Sequence, residues 1–225
     1  MHWSRVWERL ATRYRVVAPD LPGLGHLETP PLGSVAEYVA WLVALLDELG
    51  IARAHCVGNS FGASVAWSLA GREPQRCAGL VLVNGIPLPK TPALLRRLGE
   101  SAAGAALVRA VVRRVSYHPS ALERAFVDLR HAPPELRALL ACRGGRLLPR
   151  FAALLVAGDG PPPPQLAPLL LWGEGDRLIG TRAEDAGELH AALPGSTLRL
   201  IPQAGHFPQL ELPDELADQL EAFCG

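Results

Sequence analysis

The chain has 225 residues, 49% of them hydrophobic and 20% charged, and its 22 basic and 22 acidic side chains cancel to a net charge of zero. That length fits one domain with an insertion, and the apolar half is ample for a core. No apolar run reaches the roughly 18 residues of a membrane span, no nucleic-acid motif is present, and the start is not a signal peptide, so the sequence reads as a cytoplasmic protein.

Trp3, Val6, Trp7 and Leu10 recur at i, i+3, i+4 and i+7, which predicts a helix with one apolar face. Tyr14 to Ala18 reads as a strand. Residues 34–49 form the next predicted helix, with Ser34 and Glu37 as a capping box and an apolar face at Val39, Leu42, Val43, Leu46 and Leu49, ending at Gly50. Ala54 to Val57 is a short apolar strand. It runs into Gly58-Asn59-Ser60-Phe61-Gly62 and then a helical pattern at Ala63, Ala66, Trp67 and Ala70. A strand, a tight turn with serine at its apex, and a helix make a nucleophile elbow. Glycines flank the serine because a Cβ in so sharp a turn collides with backbone. Leu80 to Val83 is the next strand, followed by Asn84. Strands alternating with helices from 14 to 84 predict a parallel sheet with crossover helices.

From 86 to about 165 the pattern changes. Proline and arginine rise, no strand is evident, and several short helices fit. Pro161 to Pro164 marks the return to the sheet. The expected organisation is therefore a core of residues 1–85 and 166–225 with a helical cap inserted at 86–165. Strand 168–172, helix 182–193, strand 197–201 and helix 213–223 complete the core. The insertion holds 12 of the 22 basic and 5 of the 22 acidic residues. A basic cap over a site would favour an anionic substrate or an acidic carrier protein; the plainer reading is arginines that solubilise exposed helix faces.

Two segments near the end carry candidate partners for Ser60. Leu169 to Trp172 leads into Gly173-Glu174-Gly175-Asp176, and Leu198 to Ile201 leads into Gln203-Ala204-Gly205-His206-Phe207. A serine hydroxyl is a poor nucleophile until a base takes its proton. Histidine titrates near neutrality and can take and return that proton. A carboxylate fixes the imidazole tautomer and stabilises the imidazolium. Asp176 is the expected acid and Glu174 the competing one. Asn84, at the end of an earlier strand, cannot carry the charge. Cys56, Cys77, Cys142 and Cys224 lack metal-ligand spacing, and Cys56 is expected to pack as a small apolar residue. No phosphate loop or metal cluster is present, so no cofactor is expected.

These motifs, with Val16-Val17-Ala18-Pro19-Asp20-Leu21-Pro22-Gly23-Leu24-Gly25, make the chain resemble the α/β-hydrolase superfamily, in its cap-bearing branch of esterases and C–C hydrolases. The resemblance spans nearly the whole chain. It implies an α/β fold with a mostly parallel sheet, a Ser60–His206–Asp176 triad, and the Phe61 amide as one donor to the oxyanion. The implied activity is hydrolysis of a small acyl substrate, a carboxylic ester, through an acyl-enzyme. A C–C hydrolase of ring-cleavage products is the alternative, since such enzymes share the Gly-Asn-Ser-Phe-Gly elbow. The elbow serine argues against epoxide hydrolases and haloalkane dehalogenases, which place aspartate there. Leu27 stands where relatives often carry serine. The larger departure is at the start. Relatives have two or three strands before the Asp-x-Pro-Gly segment, the last ending in a His-Gly loop that gives the second oxyanion donor. Here Met1-His2-Trp3-Ser4 already corresponds to the helix after that loop. The resemblance implies that the strand between 14–18 and 54–57 is missing, which leaves the two with unpaired edges. An inactive fragment without the second donor is the non-catalytic reading.

Overall fold

Four parallel strands form one sheet in the order β1-β2-β3-β4: β1 (Ala54–Asn59), β2 (Cys77–Val83), β3 (Leu169–Gly173) and β4 (Thr197–Ile201). The structure, a computed structural model, describes residues 2–24, 30, 32–85, 103, 104, 106, 120–134, 136, 137, 162–178 and 181–225. Most of the expected cap, and Gly25, His26 and Leu27, lie outside the described residues. The α-helices with described bounds are α1 (Ser4–Leu10), α2 (Val35–Glu48), α3 (Phe61–Arg72), α4 (Ser120–Ala125), α5 (Ala183–Ala192), α6 (Pro208–Glu211) and α7 (Pro213–Cys224).

Parallel strands joined by helices must be covered on both faces, and the two apolar layers show it. One layer holds Val6, Val81, Val83, Leu169, Leu171, Ile201, Leu216 and Leu220, so α1 and α7 lie on that face. The other holds Val39, Ala66, Trp67, Leu80, Leu82 and Leu170, so α2 and α3 lie opposite. Strands β2 and β3, covered twice, read as near-continuous apolar runs for this reason.

The expected strand at Tyr14 to Ala18 is not one. Tyr14 lies in a bend and residues 15–18 pair with no strand among the described residues, where β1 is the outermost strand on that side. Extended backbone without a hydrogen-bonded neighbour is not a ladder, however well its side chains alternate. The apolar face expected for α1 is also narrower than read. Val6 is buried and Trp3 and Leu10 pack beside it, but Trp7 is 39% exposed. The Arg9 guanidinium pins α1 to α7 through Glu221 at 3.1 and 3.0 Å and through Asp218.

Helix α2 starts as expected: Ser34 Oγ accepts from the Glu37 amide at 3.2 Å, and a Glu37 carboxylate oxygen takes the Ser34 hydroxyl at 3.2 Å. Its most buried residue is Tyr38, which the periodicity did not single out. The Tyr38 hydroxyl donates to the Pro22 carbonyl at 2.8 Å and so ties the 21–24 turn to α2. Cys56 packs with the second apolar layer, and its Sγ also lies 3.3 Å from Cys77 Sγ on β2. The shared proton and burial push the Cys56 thiol up and leave Cys77 lowered.

Candidate active site

The elbow is built by backbone sterics. Strand β1 runs to Asn59, α3 begins at Phe61, and Ser60 sits between them at φ 54° and ψ −118°. A serine at positive φ is strained and persists only where its surroundings hold it. Here the Ser60 amide donates to the Val83 carbonyl at 3.0 Å, and the Ser60 carbonyl accepts from Ala63 at 3.0 Å. Gly58 must be glycine, because a Cβ there would overlap the Gly62 carbonyl. The Phe61 amide is the first of α3, whose N-terminal dipole favours negative charge. The Phe61 ring meets Tyr38 edge-on at 5.2 Å.

Asp176 and His206 come together past the carboxyl ends of β3 and β4. His206 Nδ1 lies 2.7 Å from Asp176 Oδ2, with both side chains buried. A carboxylate only accepts, so Nδ1 is the donor in this contact, and in the neutral imidazole Nε2 is then left with its lone pair. Asp176 Oδ1 accepts from the Leu178 amide at 2.9 Å. Glu174, the competing acid, is exposed, so the carboxylate that meets His206 is Asp176.

Three residues outside the expected triad hold this pair. Asn84 is fully buried at φ 41°; its Nδ2 donates to Asp176 Oδ2 at 3.0 Å and its Oδ1 accepts from Gly173 N at 3.0 Å. Asn59 Nδ2 donates to the carbonyls of Val83 at 3.0 Å and His206 at 2.9 Å, so the residue before Ser60 grips the backbone of His206. Gln209 Nε2 in turn donates to Asn59 Oδ1 at 3.1 Å. The signal for Asn84 was legible: an asparagine directly after a strand is a frequent positive-φ residue. Nothing in the sequence pointed Asn59 or Gln209 at His206.

Aromatic rings line the histidine. Phe207 stacks against Phe126 at 5.1 Å and meets His206 and His2 edge-on at 4.8 and 5.3 Å. Burial lowers the His2 imidazole from its ordinary value, and the adjacent α-amino group and His206 add to that. Among the described residues no three His, Cys, Asp or Glu side chains cluster as a metal site, and no helix is long and apolar enough to cross a membrane.

The chain is similar to known proteins along most of its length. An uncharacterized protein of Mycobacterium tuberculosis is 30% identical over 98% of this chain and 70% of its own length. A 2-hydroxymuconate semialdehyde hydrolase of Pseudomonas putida is 34% identical over 93% of this chain and 76% of its own. The solved structure of a thermophilic esterase from Thermogutta terrifontis superposes with a TM-score of 0.70 at 23% identity, over 99% of this chain and 84% of that one. Residues 1–219 match the profile of the alpha/beta hydrolase family, and the chain belongs to that family.

Proposed function

We propose that the protein is a serine hydrolase that cleaves a carboxylic ester or related acyl substrate through an acyl-enzyme. The observation that carries this reading is the buried 2.7 Å His206–Asp176 pair, whose histidine backbone is gripped by the residue next to Ser60. In this reading Ser60 Oγ attacks the carbonyl carbon while His206 Nε2 takes the hydroxyl proton. Asp176 stabilises the imidazolium. The Phe61 amide and the α3 dipole stabilise the oxyanion. The imidazolium returns its proton to the leaving group, and His206 then activates water to release the acid. The inserted segment, with 12 of the 22 basic residues, suits an anionic acyl group or an acidic carrier.

A fluorophosphonate probe tests it. Labelling is expected at Ser60 alone and is lost in Ser60→Ala; labelling that survives the substitution overturns the assignment. A second reading, hydrolysis of a C–C bond in a ring-cleavage product, is favoured by the Pseudomonas putida relative together with the Gly58-Asn59-Ser60-Phe61-Gly62 elbow. Turnover of 2-hydroxymuconate semialdehyde faster than of p-nitrophenyl esters selects it.

A further inference from the structure

Asp176 and Glu211 are the fully buried carboxylates among the described residues. Asp176 has His206 as its partner. The Glu211 carboxylate is instead held by backbone amides. Its Oε2 accepts from Gly205 N at 2.6 Å, and its Oε1 accepts from Val127 N at 2.8 Å and Asp128 N at 3.2 Å. Burying a carboxylate is costly unless it is fully hydrogen-bonded, so this arrangement needs a return. Gly205 immediately precedes His206, and residues 125–128 emerge from the insertion. The two segments touch elsewhere too, where the His206 amide donates to the Ala125 carbonyl at 2.6 Å; the neighbouring Arg124 carbonyl accepts from Arg177 N, in the loop of Asp176, at 3.0 Å. A side chain at 205 would strike the Ala125 carbonyl, so glycine is what lets them approach.

We propose that Glu211 is a positioning residue for His206: it fastens the loop that carries the histidine to the 125–128 segment of the insertion. The proposal rests on His206 being the base. The geometry gives the reason. His206 has backbone ties to Asn59 and Ala125, and its Nδ1 meets Asp176 at 2.7 Å and Thr181 Oγ1 at 3.5 Å. The Ala125 tie lies on a segment that packs on Leu210 of α6 and, through Phe126, on Phe207, but those contacts are apolar and carry no directed bond. Glu211 is the group that bonds both sides of that contact. Without it the imidazole keeps its Asp176 bond, but the loop that carries it is held less firmly against residues 125–128.

The test is Glu211→Gln, assayed with p-nitrophenyl acetate and by the rate of fluorophosphonate labelling. The amide is isosteric, but its NH2 faces one of the amide donors and breaks one side of the clamp. A displacement of about 1 Å at a reacting group costs about 10²-fold, so kcat is expected to fall by that order with KM nearly unchanged. The low-field proton resonance of His206 Nδ1–H should shift or broaden in the same variant. Leu136→Ala is the control, because Leu136 lies in the same apolar cluster but touches neither segment's amides through Glu211. If Glu211→Gln loses activity only as much as Leu136→Ala at a matched fall in Tm, with the resonance unmoved, Glu211 is structural and the proposal fails. Should Glu211→Gln not fold, Val127→Pro removes one donor and leaves the carboxylate; unchanged kcat there overturns the proposal. Failure of the triad reading looks different: in that case His206→Ala retains labelling at Ser60 in the wild-type background.

Discussion

The proposed nucleophile half of the site and its proposed acid–base half are built by different means. Ser60 is held by backbone: a hydrogen bond from its amide to the Val83 carbonyl, a positive φ, and a glycine at 58 where no Cβ fits. Asp176 and His206 are tied from other places in the chain: by the side chains of Asn84 and Asn59, by the Ala125 carbonyl and, at the neighbouring Gly205 amide, by Glu211. A local turn is strained by its own sterics and needs few partners. A pair of loops past two strand ends has no such constraint and must be tied from outside. The first half should therefore fail through the backbone, and the second by degrees as its ties are cut.

Replacing the reacting groups gives the largest effects. Ser60→Ala should lower kcat by about 10⁶ while leaving Tm unchanged or higher, because nothing in the backbone depends on the hydroxyl. Asp176→Asn should cost about 10⁴ in kcat, since the wrong imidazole tautomer is then favoured. Glu174→Gln should stay close to wild type, being exposed; the reverse ranking would move the acid to Glu174. Gly58→Ala separates the halves: it should destabilise the fold by about 3 kcal/mol or more, read as a lower Tm or as lost soluble protein, because the added carbon overlaps backbone that cannot yield. An unchanged Tm would mean that the elbow is softer than its geometry implies.

Cutting one tie of the acid–base half should cost less. Asn84→Gly keeps the positive φ and removes only the side chain, so about a tenfold loss in kcat is expected, equivalent to about 1.4 kcal/mol in the barrier. Wild-type kinetics in that variant would show that the Leu178 amide is enough to orient Asp176. The smallest effect belongs to the exposed end of the insertion's segment. The Arg130 guanidinium and amide beside Asp128 hold its carboxyl down to about 2. A depressed carboxylate adds stability above its ordinary value near 4, and the gain is lost as pH falls through the folded value. A small Tm gap between wild type and Arg130→Ala at neutral pH should therefore close between about pH 4 and pH 2. A gap independent of pH would assign it to packing instead.

The comparison also separates what could be read from what could not. Elbow, strand ends and the order serine, aspartate, histidine are short-range patterns. Apolar runs end where loops begin, and the residues at those ends can be named. The same logic misplaced the strand at Tyr14 to Ala18, because a strand is a relation between two segments. Side-chain alternation there is compatible with a sheet, but no neighbour lies alongside. Trp7 failed similarly: a helical face is only buried as far as its partner helix reaches, and α7 covers Trp3, Val6 and Leu10 but not Trp7.

By itself the sequence determined the alternation of strands and helices from residue 54 on, the turn at Ser60 with its obligatory Gly58, and the identity of the acid–base candidates, because these depend on periodicity and on sterics within a few residues; Gly62, expected to be forced in the same way, has open space where a Cβ would sit. Only the tertiary structure decided between Asp176 and Glu174, recruited Asn84, Asn59 and Gln209 to the pair, and set a buried Glu211 between the histidine loop and the insertion. Those choices turn on distances between residues as much as 150 positions apart. No local pattern encodes such distances; they follow from how the two apolar layers close over the sheet.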